Sequence, residues 1–307
     1  MGQKKKFNYV DFILKYLSVI LMIIALIYIG VNNHYFFKVN NIISILLQTA
    51  SLAIMAMGMT FVLITGGIDL SIPPVMALGA ILGTLYMQHG GNGFIAFLIM
   101  LAVGVGCGLV NGYAIAYLNM IPFIVTLSLQ TITYGACLWI ASNGISGVSD
   151  GFKQVVLFKL GIIPFPIILM FLLMIIAEVM LKKTYLGREL YLVGTNVKMA
   201  DVSGINSKRV ILSVYVLSGI LASLAGMIYI ADTAVTDIVG AAVIGGASTS
   251  GGIGTAKGAV FGAIFITIIG NAANMLHLSY NVTMMMKGIL ILAFVAMDMI
   301  RRSRRGL

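Results

Sequence analysis

Residues 42–64 read IISILLQTASLAIMAMGMTFVLI, and residues 65–71 continue as TGGIDLS. The first stretch has 23 residues and no charged side chain, and a helix needs about 20 apolar residues to cross a bilayer. Two glycines and Asp69 then interrupt the apolar run before another one starts at residue 72. This pattern predicts membrane-spanning helices joined by a short polar break.

Ten apolar stretches of this kind follow one another along the chain, although the eighth is short and rich in glycine. A broken or re-entrant segment is tolerated only where protein or a water-filled cavity satisfies its backbone. We therefore expect an all-α integral membrane protein of about ten transmembrane helices, some broken or re-entrant, forming a single transmembrane domain over residues 1–307. The predicted spans are 13–31, 42–64, 72–88, 94–117, 123–141, 162–181, 210–230, 234–247, 258–276 and 283–300.

The basic residues fall almost entirely into alternate gaps between these spans. With ten crossings, 15 of the 19 lysines and arginines lie on one side, at both termini, in loop 182–209 and at Lys257. The positive-inside rule makes that side cytoplasmic and places both termini there. The net charge of +10 is then explained by topology and contact with anionic membrane lipid, so we expect no nucleic-acid partner.

Several classes of function lack their sequence signatures. The chain contains no G-x-x-x-x-G-K-[ST] motif and no nucleophile elbow, and its three histidines are far apart. No ionisable residue is placed with confidence at the membrane midplane, where a proton- or ion-coupled carrier needs one. We expect no metal, no cofactor and no enzymatic activity on this chain, and a pathway suited to a neutral polar solute.

Two glycine-containing segments each follow an apolar run that enters from outside and precede a helix that runs back. Paired interruptions of this kind point to a transport pathway between repeats. Asp69 is interpreted as a structural lock whose carboxylate accepts hydrogen bonds from freed backbone N–H groups. The motif residues are Gly66, Gly67, Asp69 and Ser71 in the first segment, and Gly245 and Gly246 in the second.

Loop 182–209 contains a short segment with helix-capping residues at both ends. Asn196 is a suitable N-cap and Gly204 a suitable C′ residue. The helix between them could dock into a groove of a cytoplasmic partner, or it could be an ordinary surface helix. Its residues are Asn196, Val197, Lys198, Met199, Ala200, Asp201, Val202, Ser203 and Gly204.

Several motifs occur in an order that identifies a family: Gly58–Ser71, Pro122–Leu127, Gly187–Tyr191 with Gly194–Asn196, Ser203–Ile205, Tyr215–Gly219, and Ala242–Gly246 with Ser250–Gly252. With these motifs the chain resembles, over nearly its whole length, the permease subunit of monosaccharide-type ABC importers, the ribose-permease-like family.

The resemblance implies a bacterial cytoplasmic (inner) membrane protein that passes a monosaccharide. Two permease subunits, identical or different, would form the pore. ATP and Mg²⁺ would be bound by separate ATP-binding subunits, and an extracytoplasmic binding protein would deliver the sugar. The segment Asn196–Gly204 looks like the family's coupling helix, through which the ATPase switches the pore between two states.

A sugar needs neutral hydrogen-bonding groups along its pathway. Thr126, Gln130, Thr133 and Tyr134 follow an i, i+4, i+7, i+8 pattern, so they share one helix face. Asn271 and Asn274 share a face of the ninth span, and Asn111 lies in the fourth. These residues are the predicted pathway, with interhelical hydrogen bonding as the alternative role for each.

The chain departs from the family pattern at residues 231–237. The family usually has a longer stretch there, with Glu-Leu-Asp before the alanine-rich run, whereas Val235 stands where the glutamate is expected. This departure keeps open a transport-silent permease that partners a more competent one in a heterodimer. The second alternative is a stand-alone secondary carrier.

Overall fold

The computed structural model describes residues 33–141, 148–232 and 254–305, together with Ile23, Leu26, Ile27, Gly30 and Val31. These residues form eleven α-helices and one pair of short strands. The predicted span 234–247, most of span 13–31, residues 233–237 of the departure from the family pattern, and Gly245 and Gly246 lie outside the described residues.

The helices are α1 (Val39–Ile64), α2 (Ile72–Gln88), α3 (Gly93–Ala116), α4 (Pro122–Ile140), α5 (Asp150–Val156), α6 (Phe165–Lys183), α7 (Tyr185–Thr195), α8 (Val197–Val202), α9 (Ser207–Asp232), α10 (Ala256–Met275) and α11 (Tyr280–Arg305). Seven of the predicted spans coincide with helices whose ends lie within three residues of the predicted limits. The tenth predicted span, 283–300, lies inside α11.

Within the described ranges, six helices are long and apolar enough to cross a membrane: α1, α3, α4, α6, α9 and α10. The apolar helix α2 has 17 residues, and Tyr280–Leu292 within α11 is a further apolar stretch. The chain is therefore a multi-pass membrane protein.

Prolines start several of these helices, because a proline in the first turn removes only an N–H that has no helical partner.

The chain divides into two units, one of Ile43–Ile264 and one of Met1–Ile42 with Phe265–Leu307. In the second unit the side chains of Asn41 and Asn271 donate to each other, with N···O distances of 3.3 and 3.0 Å. Phe36 and Phe37 form an edge-to-face ring pair in the same unit, 5.2 Å between centroids. The prediction of a single domain stays a prediction.

The core of the larger unit is built on α9, which packs closely against α1, α2 and α3 through small residues. A Cβ atom on Gly104 of α3 would overlap the carbonyl oxygen of Gly219 on α9. Ser51 of α1 donates to the carbonyl oxygen of Ala225 at 3.1 Å, and Ser223 of α9 donates to that of Met100 at 2.8 Å. Close packing and hydrogen bonds of this kind hold helices together in a bilayer, where no hydrophobic effect drives their association.

The expectation of a purely α-helical chain is wrong in one short region. Residues Lys159–Leu160 (β1) and Ile163–Pro164 (β2) pair antiparallel, with Leu160 opposite Ile163. Gly161 adopts a φ of +67° at the first position of the two-residue turn, which glycine permits without steric cost. The hairpin joins α5 to α6 and supplies hydrogen bonds for backbone that is not helical.

Candidate functional site

The link between α1 and α2 is a tight, partly buried turn held by backbone hydrogen bonds. Helix α1 ends at Ile64, and the N–H groups of Gly66 and Gly67 donate back to the carbonyl oxygens of Leu63 and Val62 at 3.0 and 3.1 Å. Gly66 has a φ of +81°, and a Cβ atom on Gly67 would lie 2.5 Å from the hydroxyl oxygen of Tyr215. Both predicted motif glycines therefore stand where a side chain would strain the turn or overlap its neighbour.

Asp69, in this link, is 5% exposed and lies at the centre of a hydrogen-bond network. Its Oδ1 accepts from the N–H of Ser71 at 3.0 Å and from the Ser71 hydroxyl at 2.6 Å. Its Oδ2 accepts from the Ser218 hydroxyl of α9 at 3.1 Å. The Asn111 amide of α3 donates to Ser71 Oγ at 2.8 Å and approaches Asp69 Oδ1 at 3.5 Å. We call these four residues the Asp69 cluster.

The Asp69 cluster joins the link to two helices that are distant in sequence. A third helix is added by Thr126 of α4, whose hydroxyl donates to the carbonyl oxygen of Ile68 at 3.2 Å. A carboxylate buried in this way is stabilised by several donors instead of by a cation. These hydrogen bonds hold the link against α3, α4 and α9.

The space beside the Asp69 cluster is too small for a sugar. A cavity lined by Asp69, Asn111 and Tyr215, among others, has a volume of about 10 Å³, room for one water molecule at most. Small-molecule sites are typically about 300–1,000 Å³. In this structure the Asn111 amide donates a hydrogen bond within the Asp69 cluster, and the role of Asn111 in the translocation pathway stays a prediction.

The polar stripe of α4 is divided by burial into two kinds of residue. Thr126 and Thr133 are buried; the Thr126 hydroxyl shares its one proton between the carbonyl oxygens of Ile68 and Pro122, and the Thr133 hydroxyl donates within its own helix. Gln130 is half-buried, and Tyr134 is 59% exposed. Gln130 and Tyr134 are therefore the members of the stripe that are free to meet a solute, although the pathway role of all four stays a prediction.

Asn271 and Asn274 belong to the other unit. Asn271 is half-buried and its amide is engaged with Asn41, whereas Asn274 is exposed. Their predicted pathway role also stays a prediction.

A larger cavity, of about 570 Å³, lies where the start of α3 meets α5. Its walls include Phe94, Phe97, Phe152, Val155 and Met227. Because α3 has 24 residues and rises about 1.5 Å per residue, this end is about 36 Å from the end that leads to Tyr117. The apolar walls offer few of the hydrogen-bonding groups that a sugar needs.

Loop 182–209 contains two helices, α7 and α8, of which only the second was predicted. Helix α7 presents Leu190 and Val193 to the protein, a helical repeat visible in the sequence. In α8 the side chain of Asn196 accepts from the N–H of Met199 at 3.1 Å, and Gly204 has a φ of +84°. The predicted N-cap and C′ residues are both confirmed.

One face of α8 is exposed and the other is buried. Val197, Met199 and Val202 are 41%, 64% and 86% exposed, whereas Ala200 is 2% exposed and packs inward. Three apolar side chains on a six-residue helix form an outward surface that a partner would cover. Ala200 lies on the buried face of α8 and is not part of that surface.

Side chains of α6 and α7 hold the segment that leads into α10. The Tyr191 hydroxyl of α7 donates to the carbonyl oxygen of Gly254 at 2.6 Å. Burial and the nearby Glu178 carboxylate raise the pKa of Tyr191, so it remains a donor at neutral pH. Glu178 accepts from the N–H of Lys257 at 3.3 Å and pairs with Lys182 at 2.6 Å. No property of the sequence signalled this connection, because its partners are more than 60 residues apart.

Comparison with known proteins places the chain among membrane permeases. A family model described as branched-chain amino acid transport system / permease component matches residues 41–295. The ribose import permease protein RbsC of Escherichia coli (strain K12) is 35% identical over 299 residues, which cover 92% of each chain. The D-allose transport system permease protein AlsC of the same organism is 32% identical, covering 97% of this chain and 95% of that one.

A solved structure has a similar fold. It is a chain assigned to the metal-chelate type of ABC transporter, in an inward-facing conformation, with a TM-score of 0.54 and 18% sequence identity. The likeness covers 94% of this chain and 99% of the other. At this sequence identity the similarity supports the fold of the chain and carries no information about its function.

Proposed function

The chain belongs to the family of branched-chain amino acid transport system permease components, and we propose that it is the membrane-spanning subunit of an ATP-driven importer for a monosaccharide. The observation that carries this proposal is the match with sugar permeases along nine-tenths or more of both chains. A neutral, polar pathway agrees with a sugar better than with a charged solute.

The proposed topology has about ten crossings with both termini in the cytoplasm. The support is the distribution of lysine and arginine, which places loop 182–209 on the cytoplasmic side together with both ends of the chain. On this topology α7 and α8 lie where an ATP-binding subunit can reach them.

Within the proposed importer, α8 is the helix that the ATP-binding subunit contacts. Its exposed Val197, Met199 and Val202 provide the apolar contact, and Tyr191 with Glu178 passes the movement from the loop to the start of α10. ATP and Mg²⁺ are bound by that separate subunit. A second permease subunit completes the pore, and an extracytoplasmic binding protein supplies the sugar.

The Asp69 cluster has a supporting role in this proposal. It keeps the α1–α2 link in register with α3, α4 and α9, so that the helices move together when the coupling helix is displaced. The accessible members of the α4 stripe, Gln130 and Tyr134, are the first candidates to contact the solute.

The test compares two substitutions of exposed valines. Val202→Asp places a charge on the proposed contact surface of α8, whereas Val155→Asp makes the same change on α5, where the valine is 73% exposed. We expect Val202→Asp to abolish ATP-driven sugar uptake and to reduce the amount of ATP-binding subunit that co-purifies, and Val155→Asp to leave that amount unchanged.

Ala200→Arg is a less informative variant, because the buried alanine would disturb α8 itself. Wild-type uptake by Val202→Asp would remove the assignment of α8 as the coupling helix. Loss of co-purification in both aspartate variants would show a general defect of folding instead.

A further inference from the structure

An open groove runs along the outer side of α9 in the larger unit. It has a volume of about 410 Å³ and is walled by Leu109 of α3, by Met180, Leu186 and Leu190 of α6 and α7, and by Leu212, Val216, Leu217 and Ile220 of α9. Apart from Ser213, its one polar lining residue is Arg209, at one end. Arg209 is exposed, and in the described part of the chain the one ion pair is Glu178–Lys182, so this guanidinium has no carboxylate partner there.

The length of the groove matches one leaflet of a bilayer. Arg209 and Ile220 are eleven residues apart on α9, which corresponds to about 16 Å at 1.5 Å per residue. The hydrocarbon core of a bilayer is about 30 Å thick, so one leaflet provides about 15 Å. A chain of CH₂ groups that starts at Arg209 and ends near Ile220 therefore spans a leaflet.

Aromatic residues mark the depth of the Arg209 end. Tyr113 and Tyr117 stack with 5.3 Å between ring centroids, both are exposed, and the Lys208 ammonium lies 5.7 Å from the Tyr117 ring. Tyrosines with adjacent lysine or arginine are typical of the membrane–water interface. Arg209, next to Lys208 in sequence, is thus placed at headgroup level, with the apolar part of the groove extending into the hydrocarbon.

We propose that this groove binds one acyl chain of an anionic phospholipid of the cytoplasmic leaflet, with the lipid phosphate held by Arg209 and Lys208. The leaflet follows from the basic loop 182–209 to which the groove opens. Charge complementarity selects an anionic headgroup, since a basic residue near the surface attracts anionic lipid. The apolar walls of the groove contact the acyl chain, and lipid binding at this site does not require a bound sugar or ATP.

The experiment uses the purified full-length chain in mild detergent, stripped of lipid and titrated with phosphatidylglycerol or phosphatidylethanolamine, with bound lipid counted by native mass spectrometry. Arg209→Gln removes the charge at the groove. Arg188→Gln is the matched control, because Arg188 belongs to the same loop but lies over the Tyr185 ring, outside the groove lining. Ser213→Trp fills the groove from an exposed position.

We expect wild type and Arg188→Gln to bind phosphatidylglycerol in preference to phosphatidylethanolamine. Arg209→Gln should bind it about fivefold more weakly, the effect of one basic residue near an anionic surface. Ser213→Trp should lose the site. The proposal is overturned if Arg209→Gln binds like wild type, if the two lipids bind equally, or if no lipid binds. It is also overturned if Ser213→Cys cross-links two copies of the chain in native membranes, which would make the groove a subunit interface.

Discussion

Two glycines of α3, Gly104 and Gly106, allow a quantitative prediction about helix packing in the larger unit. Gly104→Ala puts a methyl group into the carbonyl oxygen of Gly219 and the hydroxyl of Ser223, so α3 and α9 must separate. Gly106→Ala, two residues along α3, places the same methyl group where no heavy atom lies within 4 Å. The two variants differ only in what the added group meets.

The magnitude follows from two costs at the Gly104 position. Overpacking of a well-packed interface costs about 1–3 kcal/mol. Displacement of Ser223 endangers its hydrogen bond to Met100, and an interhelical bond of this kind contributes about 0.6 kcal/mol. The gain in helix propensity on replacing glycine by alanine, up to about 1 kcal/mol, is common to both variants and cancels in the comparison. We expect a difference of about 2–4 kcal/mol between the two variants.

The assay is the apparent Tm of the detergent-purified chain, taken from the monodisperse fraction that survives heating at a fixed rate. At about 2–4 °C per kcal/mol, Gly104→Ala should unfold roughly 4–16 °C below Gly106→Ala. An equal or higher Tm for Gly104→Ala would refute the close approach of α3 and α9 on which the described core depends.

Three further predictions concern the polar contacts. Asp69→Asn replaces a carboxylate that accepts from Ser71 and Ser218, so it leaves a buried group badly paired and should lower stability by about 1–3 kcal/mol. Asp150→Asn, at an exposed position, should change stability little. Equal Tm values for the two variants would exclude the Asp69 cluster as a lock. Tyr191→Phe removes the bond to Gly254 and should reduce sugar uptake per ATP hydrolysed, and an unchanged ratio would show that the bond plays no part in coupling. Gln130→Ala should reduce uptake more than Thr131→Ala, its exposed neighbour on α4, and the reverse order would count against the stripe as a pathway.

The spans could be predicted closely because uncharged runs of about 20 residues and helix-starting prolines are local signals. The capped helix α8 could be predicted for the same reason, since Asn196 and Gly204 are recognisable cap residues. Helix α7 was not predicted, although Leu186, Leu190 and Val193 repeat at helical spacing.

The Asp69 cluster could be predicted only in part. A carboxylate beside two glycines suggested a lock, and the N–H of Ser71 is indeed a donor to it. Ser218, by contrast, is 149 residues away in sequence, and no local pattern joins it to Asp69. Asn111 was predicted to line the pathway because its type suits a sugar; the hydrogen bond from its amide to Ser71 was not predicted, and its pathway role stays a prediction. Partners brought together by helix packing have no periodicity that a single sequence reveals.

The central claim is that this permease passes a monosaccharide when a separate subunit hydrolyses ATP. The direct measurement is uptake into proteoliposomes that contain the chain with its co-purified partners, using radiolabelled monosaccharides that include ribose and allose, with and without ATP. We expect at least one sugar to accumulate only when ATP is supplied. Accumulation of the same amount without ATP, or no accumulation of any monosaccharide by a complex that hydrolyses ATP, would contradict the account.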